Sequence, residues 1–282
     1  MVALALGLTA ALCWAVHDLF VRKLSQGTEL VPLMLAVLAA GSVALVVPVL
    51  IWGEWGLMTG GAVWLALAAG VAFAVAFGGL YKAFSLAPVR VVSPIIGAYP
   101  MITLGLAVAQ GRPVTTGDWL AVTAIVGGIA VVALTGDDEK PAPQTRTGQA
   151  MAWAALSACG FAVTFALGQA AARAGSELPA ILITRIAALA CVALLLTLRR
   201  SKPQPIGGQW KVMAAMGVLD AIALGAVMLS GSLPHAEYAS VASALFGVLT
   251  ILLATQFLNE RVRPVQWLGI AVIFAGIGKL AV

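Results

Sequence analysis

The sequence predicts an all-α integral membrane protein of ten transmembrane helices, built as two inverted five-helix repeats. Three observations predict it. Of the 282 residues, 62% are apolar and only 10% are charged, against about 25% charged in a soluble domain. The apolar residues fall into ten stretches close to the about 20 residues a spanning helix needs: 3–22, 30–51, 62–83, 90–110, 117–135, 149–171, 179–198, 210–231, 236–257 and 264–281. The second half then repeats the first. Trp119-Leu120 followed by Gly127-Gly128 returns as Trp267-Leu268 followed by Gly276, and 267 − 119 and 276 − 128 both give 148. Five crossings per half is an odd number, so the second copy enters the membrane from the opposite side. Inverted repeats around a midplane site are the layout of many secondary transporters.

Each element has its own signal. Span one carries Trp14, and span six places Phe161 at the matching position. The first span therefore belongs to the repeated fold and is not expected to be a removed leader. Span two begins around Glu29-x-x-Pro32, as span seven begins around Glu177-x-Pro179, and Trp52 and Trp55 follow its end. Span three starts at Trp64 and span eight at Trp210. Span four is interrupted by Ser93-Pro94 and Tyr99-Pro100. Proline frees backbone carbonyls, which membrane depth tolerates only against protein or a wet cavity. Trp119, Trp153 and Trp267 open spans five, six and ten, completing an interfacial aromatic belt from which only Trp14 is set apart. Span nine carries Ser240, Ser243 and Gly247 at i, i+3 and i+7, the small-residue stripe of close helix packing. Residues 1–135 and 149–282 are thus the two repeats, and 136–148, with Pro141 and Pro143 among charged side chains, is a polar linker.

Charge gives an orientation. Twelve basic residues flank the loops between spans 1–2, 3–4, 5–6, 7–8 and 9–10: Arg22, Lys23, Lys82, Arg90, Lys140, Arg146, Arg199, Arg200, Lys202, Lys211, Arg261 and Arg263. The opposite side has three, Arg112, Arg173 and Lys279. The positive-inside rule puts the first set in the cytoplasm and both termini outside. The net charge of +5 is spread over loops without a basic face, so no nucleic-acid partner is expected. Cys13, Cys159 and Cys191 lie within spans without metal-ligand or redox spacing and read as buried, inert thiols.

Charges inside a bilayer are costly and mark function or pairing. Four ionisable residues lie deep in the spans: His17 and Asp18 in span one, Arg185 in span seven and Asp220 in span eight. Asp220 is the deepest carboxylate, either a substrate or proton site or the partner of Arg185. His17 and Asp18, as neighbours, point about 100° apart on a helix and are not expected to form a dyad. Trp14, His17 and Asp18 share one face, and their repeat partners are Phe161, Thr164 and Phe165. The two sets facing each other would make an amphiphilic pocket, unless His17 and Asp18 only wet the interface. Arg185 either snorkels or binds a carboxylate. Phe73, Phe77 and Tyr81 form a stripe on span three that packing alone could explain. The expected chamber is lined by Trp14, His17, Phe77, Tyr99, Phe161, Ser243 and Phe246 as substrate-binding residues, with Asp220, Asp18 and Arg185 as ion-coupling residues.

Five spans duplicated and inverted, with Tyr99-Pro100 in the middle of span four, resemble the EamA type of the drug/metabolite transporter superfamily. The best local match is Phe257-Leu-Asn-Glu260-Arg-Val-Arg-Pro264-Val-Gln-Trp-Leu-Gly269, continuing to Gly276. It looks like that family's Leu-Gly-Glu loop and Gly-rich closing helix. The first-half copy, Gln110-Gly-Arg112 through Gly128, has Arg112 where the repeat places Glu260, and the span-nine stretch Phe246-Gly247-Val248 has no proline. The resemblance implies a ten-helix bundle with a central cavity and alternating access, and both termini in the cytoplasm, against the charge count.

The expected function is a secondary transporter of a small amphiphilic metabolite, an amino acid, vitamin-like or drug-like compound. It would be a multi-pass monomer in the lipid bilayer of the bacterial inner membrane, with possible proton coupling and no cofactor or metal. The rival classes are a membrane enzyme and a passive channel or structural subunit. No H-E-x-x-H, G-x-S-x-G or P-loop is present, and only two histidines, His17 and His235, exist.

Overall fold

The protein is described by a computed structural model. It describes residues 2–109, 115–135, 146–198, 207–233, 239 and 242–280, all helices and connections with no strand among them. Six helices are long and apolar enough to cross a membrane: α1 (Val2–Leu24), α2 (Leu30–Trp52), α3 (Gly60–Leu86), α7 (Thr147–Ala174), α8 (Glu177–Leu198) and α9 (Trp210–Leu229). The others are shorter: α4 (Val89–Gly97), α5 (Tyr99–Ala109), α6 (Thr116–Leu134), α10 (Phe246–Phe257) and α11 (Pro264–Leu280). The six long helices coincide with expected spans one to three and six to eight, and the shorter helices overlap the other expected spans within the described residues. Parts of the linker, the 199–206 loop, Arg112, His235 and Ser240 lie outside the described residues.

Span four is broken as its prolines require. α4 contains Pro94 and ends at Gly97, Ala98 tightens the chain with an N–H bond to the Ile95 carbonyl at 3.3 Å, and α5 restarts at Tyr99 with Pro100 in its first turn. Pro100 has no N–H to continue the ladder from α4. Span nine breaks at the matching place without a proline. Leu245 leaves the α-helical ladder, its N–H donating to the Ala242 carbonyl at 3.2 Å, and α10 begins at Phe246. Here 245 − 98 gives 147, within the drift of the repeat offset.

The packing joins the halves. The principal pairs are α3 with α7, α3 with α8, α2 with α8, α1 with α10, α4 with α10, and α6 with α11. α9 packs on α1 and α2, and α7 also packs on α4. Exchanging each span for its repeat partner returns the same set of pairs, as a two-fold relation between halves demands. Glycines permit the closest approaches: a Cβ at Gly160 of α7 would lie 2.8 Å from the Cβ of Ala76 on α3.

Two ends can be told apart. At one, the Arg146 N–H meets the Leu86 carbonyl at 3.3 Å and Arg263 Nη1 donates to the Thr135 carbonyl at 3.2 Å. At the other, Thr59 Oγ1 donates to the Ala174 carbonyl at 3.4 Å and Ser232 Oγ to Glu177 at 2.9 Å. The C-terminus of α3 and the N-terminus of α7 therefore share an end. The outward faces are apolar, with Val43, Leu50 and Leu198 each at least 70% exposed. Trp52, Trp55, Trp64, Trp119, Trp153 and Trp210 are exposed, while Trp14 is buried. The thiols are not buried as a set: Cys159 is exposed and the other two are half-buried. Helices this apolar have an outer face for lipid as well as an inner one, and Cys159 falls on the outer one.

Candidate functional site

Where the halves meet, one chamber forms. Trp14, His17, Asp18, Phe77, Leu80, Tyr99, Phe161, Phe165, Asp220 and Phe246 line it. The rings close on each other: Trp14 lies 6.2 Å from Phe161, 5.7 Å from Phe165 and 6.0 Å from Phe246 between centroids, and Tyr99 meets Phe165 edge-on at 5.1 Å. The free space between them is about 10 Å³, room for about one water. Anything larger enters only if the helices part.

The helix breaks supply part of this wall. Tyr99 and Phe246, each the first residue after its break, occupy matching positions of the repeat, as do Trp14 and Phe161. Tyr99 is fixed by a 2.6 Å hydrogen bond between its hydroxyl and Ser243 Oγ, which ties the two broken spans together. Ser243 thus stands behind Tyr99 and does not itself face the chamber.

Asp220 is held from two sides. Arg185 Nη1 donates to Oδ2 at 2.6 Å and Trp14 Nε1 donates to Oδ1 at 3.2 Å. Arg185 is fully buried, so it does not snorkel; its Nη2 packs on Gly41 and its guanidinium carbon lies 5.9 Å from the Phe73 ring centre. Arg185 sits behind Asp220 and outside the chamber wall.

His17 and Asp18 overturn one expectation. They do bond each other, with Nδ1 and Oδ1 2.9 Å apart. Their Cα–Cβ vectors diverge, but rotation about the side-chain torsions brings the tips together. Both are 1% exposed, so neither wets the interface. Buried polar groups find partners, and each is the other's nearest. With Asp18 ionised, its carboxylate only accepts, so His17 Nδ1 would carry the hydrogen and, in the neutral ring, Nε2 would accept from the Tyr81 hydroxyl 3.3 Å away. Tyr81 therefore does more than pack. The Phe73–Phe77–Tyr81 stripe continues across the wall, with Phe77 5.8 Å from the His17 ring. Thr164, repeat partner of His17, adds no polar group, because its hydroxyl bonds the Gly160 carbonyl at 2.7 Å.

Sequence reasoning did not place Leu80 among the wall residues, and it set Phe165 in the expected pocket face without counting it among the substrate-binding residues. The i+4 spacing from Phe161 was the available signal for Phe165. It also missed the partners of Glu260. Its carboxylate accepts from Arg22 Nε at 3.1 Å and from the Val89 N–H at 2.9 Å, while Arg22 Nη1 donates to the Phe84 carbonyl at 2.6 Å. This cluster joins the ends of α1, α3 and α4 to the loop before α11. No group of three or more potential metal ligands occurs among the described residues.

A model of the EamA-like transporter family matches the chain twice, over residues 1–134 and 148–280. A crystal structure 20% identical in sequence superposes with a TM-score of 0.70, covering 98% of this chain and 95% of its own. That likeness carries the fold. A search of the curated proteins gave no match.

Proposed function

The chain belongs to the EamA-like transporter family, a multi-pass membrane transporter of the drug/metabolite type, and from that premise we propose that it moves a small amphiphilic metabolite across the bacterial inner membrane by alternating access. Ten crossings in two inverted repeats would serve this as one monomer. The observation that carries the proposal is the closed chamber, walled by both halves at symmetry-matched positions. A site shared by two halves opens to one side or the other when they rock against each other. An aromatic wall with a few buried polar groups suits a ligand with an apolar body and a polar tip.

Proton coupling is part of the proposal. Of the two carboxylates at the wall, Asp220 has both oxygens engaged and Asp18 keeps one without a partner among the described residues. This favours Asp18 over Asp220 as the group a proton reaches. Arg185 becomes the counter-charge that keeps Asp220 in place.

A panel of radiolabelled amphiphiles in proteoliposomes, with and without a pH gradient, tests both parts. Saturable flux is expected, with gradient-driven accumulation lost in Asp18→Asn. Flux that rises linearly with concentration would mean a channel, and accumulation that survives Asp18→Asn would move the proton elsewhere.

A further inference from the structure

The chamber wall is polar at few atoms, and nearly all of them are spoken for. Trp14 Nε1 is given to Asp220, the Tyr99 hydroxyl is bonded to Ser243, and His17 bridges Tyr81 and Asp18. The exception is Asp18 Oδ2, buried and without a hydrogen-bond partner among the described residues. A carboxylate oxygen only accepts, and it makes its strongest bonds with charged donors.

With Asp18 ionised and His17 neutral, the charges at the wall do not balance. Asp220 is met by Arg185. Asp18 has only His17, which engages Oδ1. Arg185 Nε and Nη2 also lack hydrogen-bond partners, but they lie behind the wall, where Nη2 packs on Gly41 of α2. A carboxylate in the chamber cannot reach them without parting α2 from α8. Around Asp18 stand the rings of Trp14, Phe77, Tyr99, Phe161, Phe165 and Phe246. Ring faces attract cations, more so when water is excluded.

Resting on the reading of this chamber as the transport site, we infer that the transported compound is an organic monocation. Its protonated amine donates to Asp18 Oδ2, and its apolar body lies among the rings. Such a ligand supplies the one donor the wall lacks. An anion would add a second unmatched negative charge, and a neutral donor could bond Asp18 Oδ2 but would leave its charge unmet and make the weaker bond.

The test uses the purified full chain in detergent and three probes of similar size: 2-phenylethylammonium, 2-phenylethanol and 3-phenylpropionate. Binding is followed by the quenching of tryptophan fluorescence and by calorimetry. The ammonium is expected to bind at least about tenfold more tightly than either of the others. Asp18→Asn should erase that preference, and unchanged elution and circular dichroism of the purified variant would show that it is still folded. Asp18→Glu, which keeps the charge, should keep the preference. Equal affinities for all three probes, tighter binding of the anion, a preference that survives Asp18→Asn, or no saturable binding of the ammonium each overturns the inference. The transporter reading fails on different grounds. Saturable uptake of a neutral or anionic amphiphile into proteoliposomes would leave it standing while the cation is ruled out, and non-saturable flux of every compound would remove it.

Discussion

Arg185 and Asp220 form a sealed ion pair, Nη1 to Oδ2 at 2.6 Å, with the two side chains 0% and 2% exposed. Removing one member of such a pair strands the other, which costs about 3–5 kcal/mol, whereas removing both charges is often neutral. Asp220→Asn should therefore lower the unfolding temperature in detergent markedly. Asp220→Asn combined with Arg185→Met should recover most of the loss, since an Asn can still accept from Trp14 Nε1. A single variant as stable as the parent would show that the pair does not hold the fold.

The cluster around Glu260 reads as a latch on one mouth of the chamber. Glu260 holds Arg22 of α1 and the first N–H of α4, and Arg22 in turn holds the end of α3. Glu260→Gln weakens each contact by removing the charge. In a background without native cysteines, a thiol at Leu80, which faces the chamber, should then react several-fold faster with a reagent applied from that side. Unchanged labelling would mean that other contacts keep this mouth shut.

Close packing behind the ion pair makes Gly41 intolerant. A Cβ there would meet Arg185 Nη2 and the Gly217 carbonyl, and the carbonyl, being backbone of α9, cannot retreat without opening the α2–α9 contact. Gly41→Ala should destabilise the protein. Val43→Ala, two residues along the same helix at 70% exposure, should change little. Comparing the two melting curves decides the point, because helix propensity alone would favour Gly41→Ala at least as much as Val43→Ala.

The orientation is expected to follow the basic residues. A reporter active only in the cytoplasm should be active when inserted at residues 201–204 and silent at the C-terminus, because twelve basic residues flank one set of loops and three the other. The reverse pattern would place both termini inside, as the family resemblance implies.

The sequence made the spans legible because uninterrupted apolar runs and interfacial tryptophans are properties of single helices. The break in span four was equally visible at Pro94 and Pro100. The break at Leu245 was not, because its local sequence has no proline; it appears only where the second repeat is laid over the first. Angular reasoning on a helix located the shared face of Trp14, His17 and Asp18 but failed for His17 against Asp18, since Cβ directions say nothing of where side-chain tips meet. Arg185 remained open between two roles for a related reason. Sequence gives depth in the membrane, not distance between helices. Glu260 stood out within a motif, yet its contacts with Arg22 and Val89 depend on the ends of three helices meeting.

Alternating access requires that the chamber between the halves be reached from both sides of the membrane in turn. The direct measurement uses a single cysteine at Phe161, a wall residue, in a chain lacking Cys13, Cys159 and Cys191. It is exposed to an impermeant thiol reagent in right-side-out and in inverted vesicles. Labelling should occur from both sides, and a transported compound from the flux panel should slow it in each. Labelling from one side only, or labelling that the transported compound leaves unchanged, would contradict an alternating-access site in this chamber.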